Sequence, residues 1–176
     1  ILAGTWSLAV EEQFYLLFPL MIIFAPRRYI PLALIGLLIV CPIGRAVSFL
    51  SYDNEFAYYV LMPLRADVLA IGALVAYLEV SGSISPAVRR CFWGAFLASA
   101  MLFPIFAWRV DKSNAQMALW GHTFLVALYG SLLFVVLEQR GSPSLWFLRT
   151  RVAGFFARIS YALYLTHTFV IMVVFL

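Results

Sequence analysis

The sequence predicts an all-α polytopic transmembrane helix bundle of about six spans, with both ends extracytoplasmic. Three observations predict it. Of 176 residues, 65% are hydrophobic and 11% are charged, against about 45–50% and about 25% in soluble globular domains. Six apolar runs each approach the roughly 20 residues that a helix needs to cross a hydrocarbon layer of about 30 Å. The basic residues collect in short clusters between these runs, as they do where charge fixes membrane orientation. The runs are continuous, with no period-2 alternation, which excludes a barrel. The composition also excludes a soluble enzyme and a disordered tail. A net charge of +4 implies no nucleic-acid partner, because the clusters form no stripe that could follow phosphates.

The first run is Leu8–Ala25, ended by Pro26-Arg27-Arg28. The second, Tyr29–Leu50, is read as interrupted by Pro42, Gly44 and Arg45. The third is Tyr59–Leu78, the fourth Cys91–Ala107, the fifth Leu119–Leu137 and the sixth Val152–Leu176. Ser81–Pro86 and Gly141–Ser144 are connections rich in turn residues. One set of loops holds Arg27, Arg28, Arg89, Arg90, Arg140, Arg149 and Arg151. The other holds only Arg109 and Lys112, beside Asp53, Glu55 and Asp111. Seven basic residues against two put the first set in the cytoplasm. Tyr52, Tyr58, Tyr59, Trp108 and Trp120 then fall near the outer interface, where aromatic belts sit. Cys41 and Cys91 have neither metal-ligand spacing nor a disulfide framework around them, and read as inert membrane thiols. No metal is expected. Residues 1–176 read as a single membrane-embedded domain. Ile1 is not a start methionine and no signal peptide is recognisable, so the segment reads as an excerpt from a longer chain.

Ionisable groups inside hydrocarbon are costly, and each is a functional-site hypothesis. Here they are Glu11, Glu12, Arg45, Arg65, Asp67, Arg158 and His167. Arg158 lies near the cytoplasmic basic cluster and can snorkel to water. Arg45 follows Pro42 and Gly44 and reads as lining a broken helix end. Glu11 shares a helical face with Ser7 and Tyr15, while Glu12 points about 100° away. One of the two is expected to face inward and the other the interface; the alternative leaves both wet at the outer boundary. Arg65 and Asp67 project from nearly opposite sides of one helix, so each needs a partner on another helix. Either they form structural bridges, or Arg65 holds an anionic group of a substrate or donor. Ser160, Tyr164 and His167 recur at i, i+4 and i+7 and form one polar stripe on the last helix, suited to structure or to positioning protons. His122 reads as a boundary residue.

Three motifs stand in order: Trp6-Ser7-Leu8-Ala9-Val10-Glu11-Glu12-Gln13-Phe14-Tyr15-Leu16; Arg65-Ala66-Asp67, followed by Leu69 and Gly72; and Ile159-Ser160-Tyr161-Ala162-Leu163-Tyr164-Leu165-Thr166-His167. The set resembles the acyltransferase family 3 membrane proteins, which O-acylate sugars and related hydroxyl compounds. The resemblance covers the whole chain and corresponds to the C-terminal portion of a family member. In that family the carboxylate at Glu11 is the more regular of the two. A Gly commonly shortly precedes the third motif, where this chain has Ala157 and Arg158. The family also carries earlier helices with basic residues and a catalytic histidine, which this segment lacks, and His167 is not its replacement.

The resemblance implies transfer of an acyl group, acetyl above all, from acyl-CoA to a hydroxyl of a cell-surface glycan, glycolipid or similar acceptor. Such transfer needs a base for the hydroxyl proton and donors for the developing oxyanion. Glu11 and His167 are the candidate catalytic residues, with Glu11 orienting or charge-balancing the family histidine. Ser7, Glu12, Tyr15, Arg65, Asp67, Ser160 and Tyr164 are candidates to line the cavity or pair charges within it. Arg149 and Arg151 would attract the donor's phosphates, unless they serve only to set topology. The expected setting is the bacterial cytoplasmic membrane, with the bilayer as partner. The segment alone is expected to be inactive. A proton-coupled transporter or flippase is the alternative, since buried charges and broken helices suit it too, but no internal repeat supports it.

Overall fold

In a computed structural model the residues described are 6–52, 62–109 and 117–175, and they form helices joined by short connections; the side chains of 6–10, 52, 62, 109, 118, 161, 164, 165 and 167–175 lie outside the description. Among the described residues six α-helices follow one another: α1 (Trp6–Phe24), α2 (Ile30–Tyr52), α3 (Ala66–Ser81), α4 (Pro86–Arg109), α5 (His122–Glu138) and α6 (Arg151–Phe175). Short 3-10 turns at Arg27–Tyr29, Met62–Leu64 and Pro143–Arg149, and a π turn at Met117–Gly121, lead into α2, α3, α6 and α5.

Local chemistry sets the ends. Gly82 closes α3 with φ +62°, a left-handed position that glycine takes without a Cβ penalty. The Ser85 hydroxyl accepts from Val88 N at 3.3 Å at the head of α4, with Pro86 in the first turn where its missing N–H is not needed. The Thr150 hydroxyl accepts from Ala153 N at 3.2 Å and caps α6 in the same way.

Among the described residues, three stretches are long and apolar enough to cross a membrane: Arg27–Ser51, Pro86–Trp108 and Leu119–Glu138. Large apolar side chains stand exposed along them and along α1, as with Phe24 at 80%, Leu50 at 76% and Met101 at 80%, which suits lipid rather than water. Trp108 and Trp120 are exposed as a belt requires, while Tyr58 and Tyr59 lie outside the described residues.

Two expectations change. The second run is not broken: α2 continues through Pro42 for 23 residues. A membrane helix tolerates an internal proline when neighbouring segments pack against it, and the turn Met62–Leu64 does so here. The Cys41 thiol donates to Pro63 O at 3.2 Å and Arg45 donates to Leu64 O at 2.5 Å. Among the described residues of the third run, Met62–Leu64 form a 3-10 turn and the α-helix begins at Ala66, so Arg65 and Asp67 sit at a helix N-terminus. At 16 residues, α3 is about 24 Å long, short of a full crossing.

The chain forms two compact units, Leu2–Val135 and Val136–Leu176. The core of the first joins Ile30 and Leu34 of α2 to Ala70 and Leu74 of α3, with Phe18 and Met21 of α1 packed against it. Ala66 and Ala70 are buried, and small residues at a helix interface are the usual device where lipid supplies no hydrophobic drive. In the second unit, the turn Pro143–Arg149 packs on α6.

Candidate active site

The N-terminus of α3 is where charges of opposite sign converge. Arg65 occupies the N-cap position and Asp67 the first turn, where a carboxylate meets the positive end of the helix dipole. Asp67 is 1% exposed and Arg45 is not exposed at all. Their ion pair is 2.7 Å, from Arg45 Nη2 to Asp67 Oδ2. The same Nη2 donates to Thr123 Oγ1 at 3.0 Å, and Nη1 to the Leu64 carbonyl. The second carboxylate oxygen accepts from Val68 N at 3.1 Å. A dry ion pair is stable only when further hydrogen bonds satisfy both partners, and these contacts do most of that. Arg45 Nε has no hydrogen-bond partner among the described residues.

Arg65 faces the other way. Its Nη1 lies 2.9 Å from Nδ1 and 3.0 Å from Nε2 of His122, and a ring nitrogen without a proton can accept from it. His122 stands at the head of α5 and is buried there, at 7% exposure. The π turn Met117–Gly121 runs directly into His122 and Thr123. These two consecutive residues reach two different segments, His122 meeting Arg65 at the head of α3 and Thr123 meeting Arg45 of α2. Wide turns of this kind occur frequently at functional sites.

Two cavities flank the contact between α3 and α5. One, about 310 Å³, has Arg65 and His122 at its polar end and Val68, Ile71, Leu125 and Tyr129 among its apolar walls. The other, about 350 Å³, has Asp67 and Thr123 beside Leu38, Leu74, Phe92 and Ser131. Ile71 and Val126 line both. Ile71 sits on Gly130 so closely that a methyl group added there would overlap Ile71 Cγ1.

The other sequence candidates fall as follows. Glu11 is partly buried and stands one turn before Phe14, which is buried, on the side that leads to Phe18 and the core. Glu12 and Tyr15 are exposed, and Tyr15 meets Phe14 edge to face at 6.5 Å. The Ser7 side chain lies outside the described residues, as do those of Tyr164 and His167. In the second unit, the Ser160 hydroxyl donates back to Ala157 O at 2.9 Å. Arg149 is folded onto its own loop, donating to Ser142 O at 2.5 Å, and Arg151 is exposed at the head of α6. Arg158 is also exposed, and its Nε donates to Gly154 O at 3.2 Å. Among the described residues no group of three or more His, Cys, Asp or Glu stands together as a metal site.

Sequence reasoning undervalued Arg45 and His122. The available signal was spacing: Leu34, Cys41 and Arg45 lie seven and four residues apart, on one helical stripe.

Comparison with known proteins adds an independent line. The whole chain, residues 1–176, matches the family described as an acyltransferase domain. The chain is similar to the O-acetyltransferase OatA of Staphylococcus aureus, at 36% identity over 78 residues, covering 42% of this chain and 13% of OatA. It is also similar to an uncharacterized protein of Haemophilus influenzae, at 34% identity over 107 residues, 56% of this chain and 44% of that protein. No solved structure matches.

Proposed function

The chain belongs to the acyltransferase-domain family, and from that premise we propose that it is part of an integral membrane O-acyltransferase. It moves an acyl group, acetyl in the first instance, from acyl-CoA to a hydroxyl of a glycan or glycolipid at the cytoplasmic membrane of a bacterium. OatA is named an O-acetyltransferase, which favours acetyl. The observation that carries the reading is the α3 N-terminus. Arg65 and Asp67 are engaged by two different partners, His122 and Arg45, beside cavities whose walls are mostly apolar.

In the reaction the acceptor oxygen attacks the thioester carbonyl. A C–O bond forms, the C–S bond breaks, and the hydroxyl proton passes through a base to the departing thiolate. The carbonyl oxygen gains negative charge on the way, and a fixed cation nearby stabilises it. Arg65 is suited to that task or to holding the donor. Glu11 orients or charge-balances the family's catalytic histidine, which this segment does not contain, as a carboxylate fixes a tautomer in other acyl-transfer sites. His167, Ser160 and Tyr164 are assigned to the reaction on the strength of the third family motif alone. The exposed Arg149 and Arg151 draw the donor's phosphates by charge, and Arg149 keeps N–H groups beyond the one given to Ser142 O.

The test uses membranes that hold the full-length protein, offered acyl-CoA labelled in the acyl group. Label should appear as a base-labile ester on a carbohydrate or lipid acceptor. Label that only changes sides of the membrane would point to transport instead. Glu11→Gln should lower transfer by roughly 10²- to 10⁴-fold with membrane insertion unchanged, and wild-type turnover in that variant removes Glu11 from the mechanism.

A further inference from the structure

Arg45 lies at the end of the packed stripe of α2, with no part of it exposed. It carries more contacts than charge balance for Asp67 requires. Leu64 O, which it grips at 2.5 Å, belongs to the residue just before Arg65; Asp67 Oδ2, at 2.7 Å, belongs to the residue two after it. The backbone of Arg65 is therefore held from both sides by one guanidinium. The third contact, Thr123 Oγ1 at 3.0 Å, fixes the residue next to His122. Arg65 and His122 meet at 2.9–3.0 Å, so Arg45 clamps the neighbours of both members of that contact. The planar fork makes this possible, because Nη1 and Nη2 face different acceptors at fixed angles.

We propose that Arg45 is a positioning residue for acyl transfer, holding Arg65 against His122 by tying α2 to the N-termini of α3 and α5. The proposal rests on the reading that Arg65 serves the reaction. It differs from a plain structural ion pair in a checkable way. A structural pair needs only charge compensation, which Lys also supplies. Positioning needs the fork.

The experiment compares Arg45→Lys, Arg45→Met and the double variant Arg45→Met/Asp67→Leu in the full-length protein, in membranes. Arg45→Met leaves Asp67 buried without its cation and can fail to fold; the double variant removes both charges together, which proteins commonly tolerate. We expect Arg45→Lys and the double variant to accumulate in the membrane as the wild type does. Their kcat should fall by about 10- to 100-fold with little change in KM, as misplacement of a reacting group does. A second readout does not depend on turnover: carbethoxylation of His122 by diethyl pyrocarbonate, followed by mass spectrometry, should be slow in the wild type and severalfold faster in Arg45→Lys. Wild-type kcat in Arg45→Lys overturns the proposal, as does an effect confined to KM or unchanged His122 reactivity. If none of the variants accumulates, Arg45 is a folding residue and the proposal also fails. Wild-type membranes that transfer no label would sink the acyltransferase reading instead, while the His122 reactivity still decides whether Arg45 holds that contact.

Discussion

Asp67 shows how one atom's surroundings decide the effect of a substitution. Its carboxylate is dry and bonded to Arg45 and to the backbone of Val68. Asp67→Ala leaves Arg45 buried without a counter-charge, and should cost about 3–5 kcal/mol. Unfolding in mixed micelles measures the loss, and a cost near zero would show that water already reaches this pair. The two thiols give a second prediction at this scale. Cys41 is fully buried and bonded to Pro63 O, whereas Cys91 is exposed. A membrane-permeant maleimide should label Cys91 and spare Cys41 until the protein is denatured. Much of this was legible from residue type alone. Arg65 and Asp67, two positions apart, were each expected to find a partner on another helix, and each meets one: His122 on α5 and Arg45 on α2. The partners themselves were not legible, because sequence separations of 57 and 22 residues are closed only by folding.

Helix contacts here depend on small residues. Gly130 of α5 receives Ile71 of α3, and no side chain fits between them. Gly130→Val should force the helices apart and cost about 1–3 kcal/mol. Ile71→Ala in the same chain should recover part of that, since the two positions share one space, and a double-mutant cycle measures the coupling. Gly44 is a milder case, because a Cβ there would come 2.8 Å from Leu64 Cδ2, the end of a side chain that can move. Element positions were largely readable: the runs from Leu8, Tyr29, Cys91, Leu119 and Val152 correspond to α1, α2, α4, α5 and α6. The start of α3 was not. Apolar composition runs through Leu61, Met62 and Leu64 without a break, so nothing in hydropathy marks the change from turn to helix at Ala66. Nor did hydropathy say which face packs, because helices that are apolar all round show no amphipathic stripe.

For the molecule as a whole, we expect the loops with the basic clusters to face the cytoplasm. Single cysteines placed at Ser83 and Ser142, in a background without Cys41 and Cys91, should react with an impermeant maleimide only after the membrane is opened. Labelling from outside would reverse the orientation and with it the side from which the donor enters. The helical, lipid-facing character and the family motifs were determined by sequence alone. Hydrophobic content and run length act locally and need no partner, and a motif is a string of neighbours. Only the tertiary structure decided that Arg45 is a hub rather than the lining of a broken helix, that His122 is interior, and that Asp67 is neutralised from α2. Those facts depend on which helix faces lie together, and in a chain this uniformly apolar the faces are chosen by small residues and buried polar contacts, which take effect only once the helices meet.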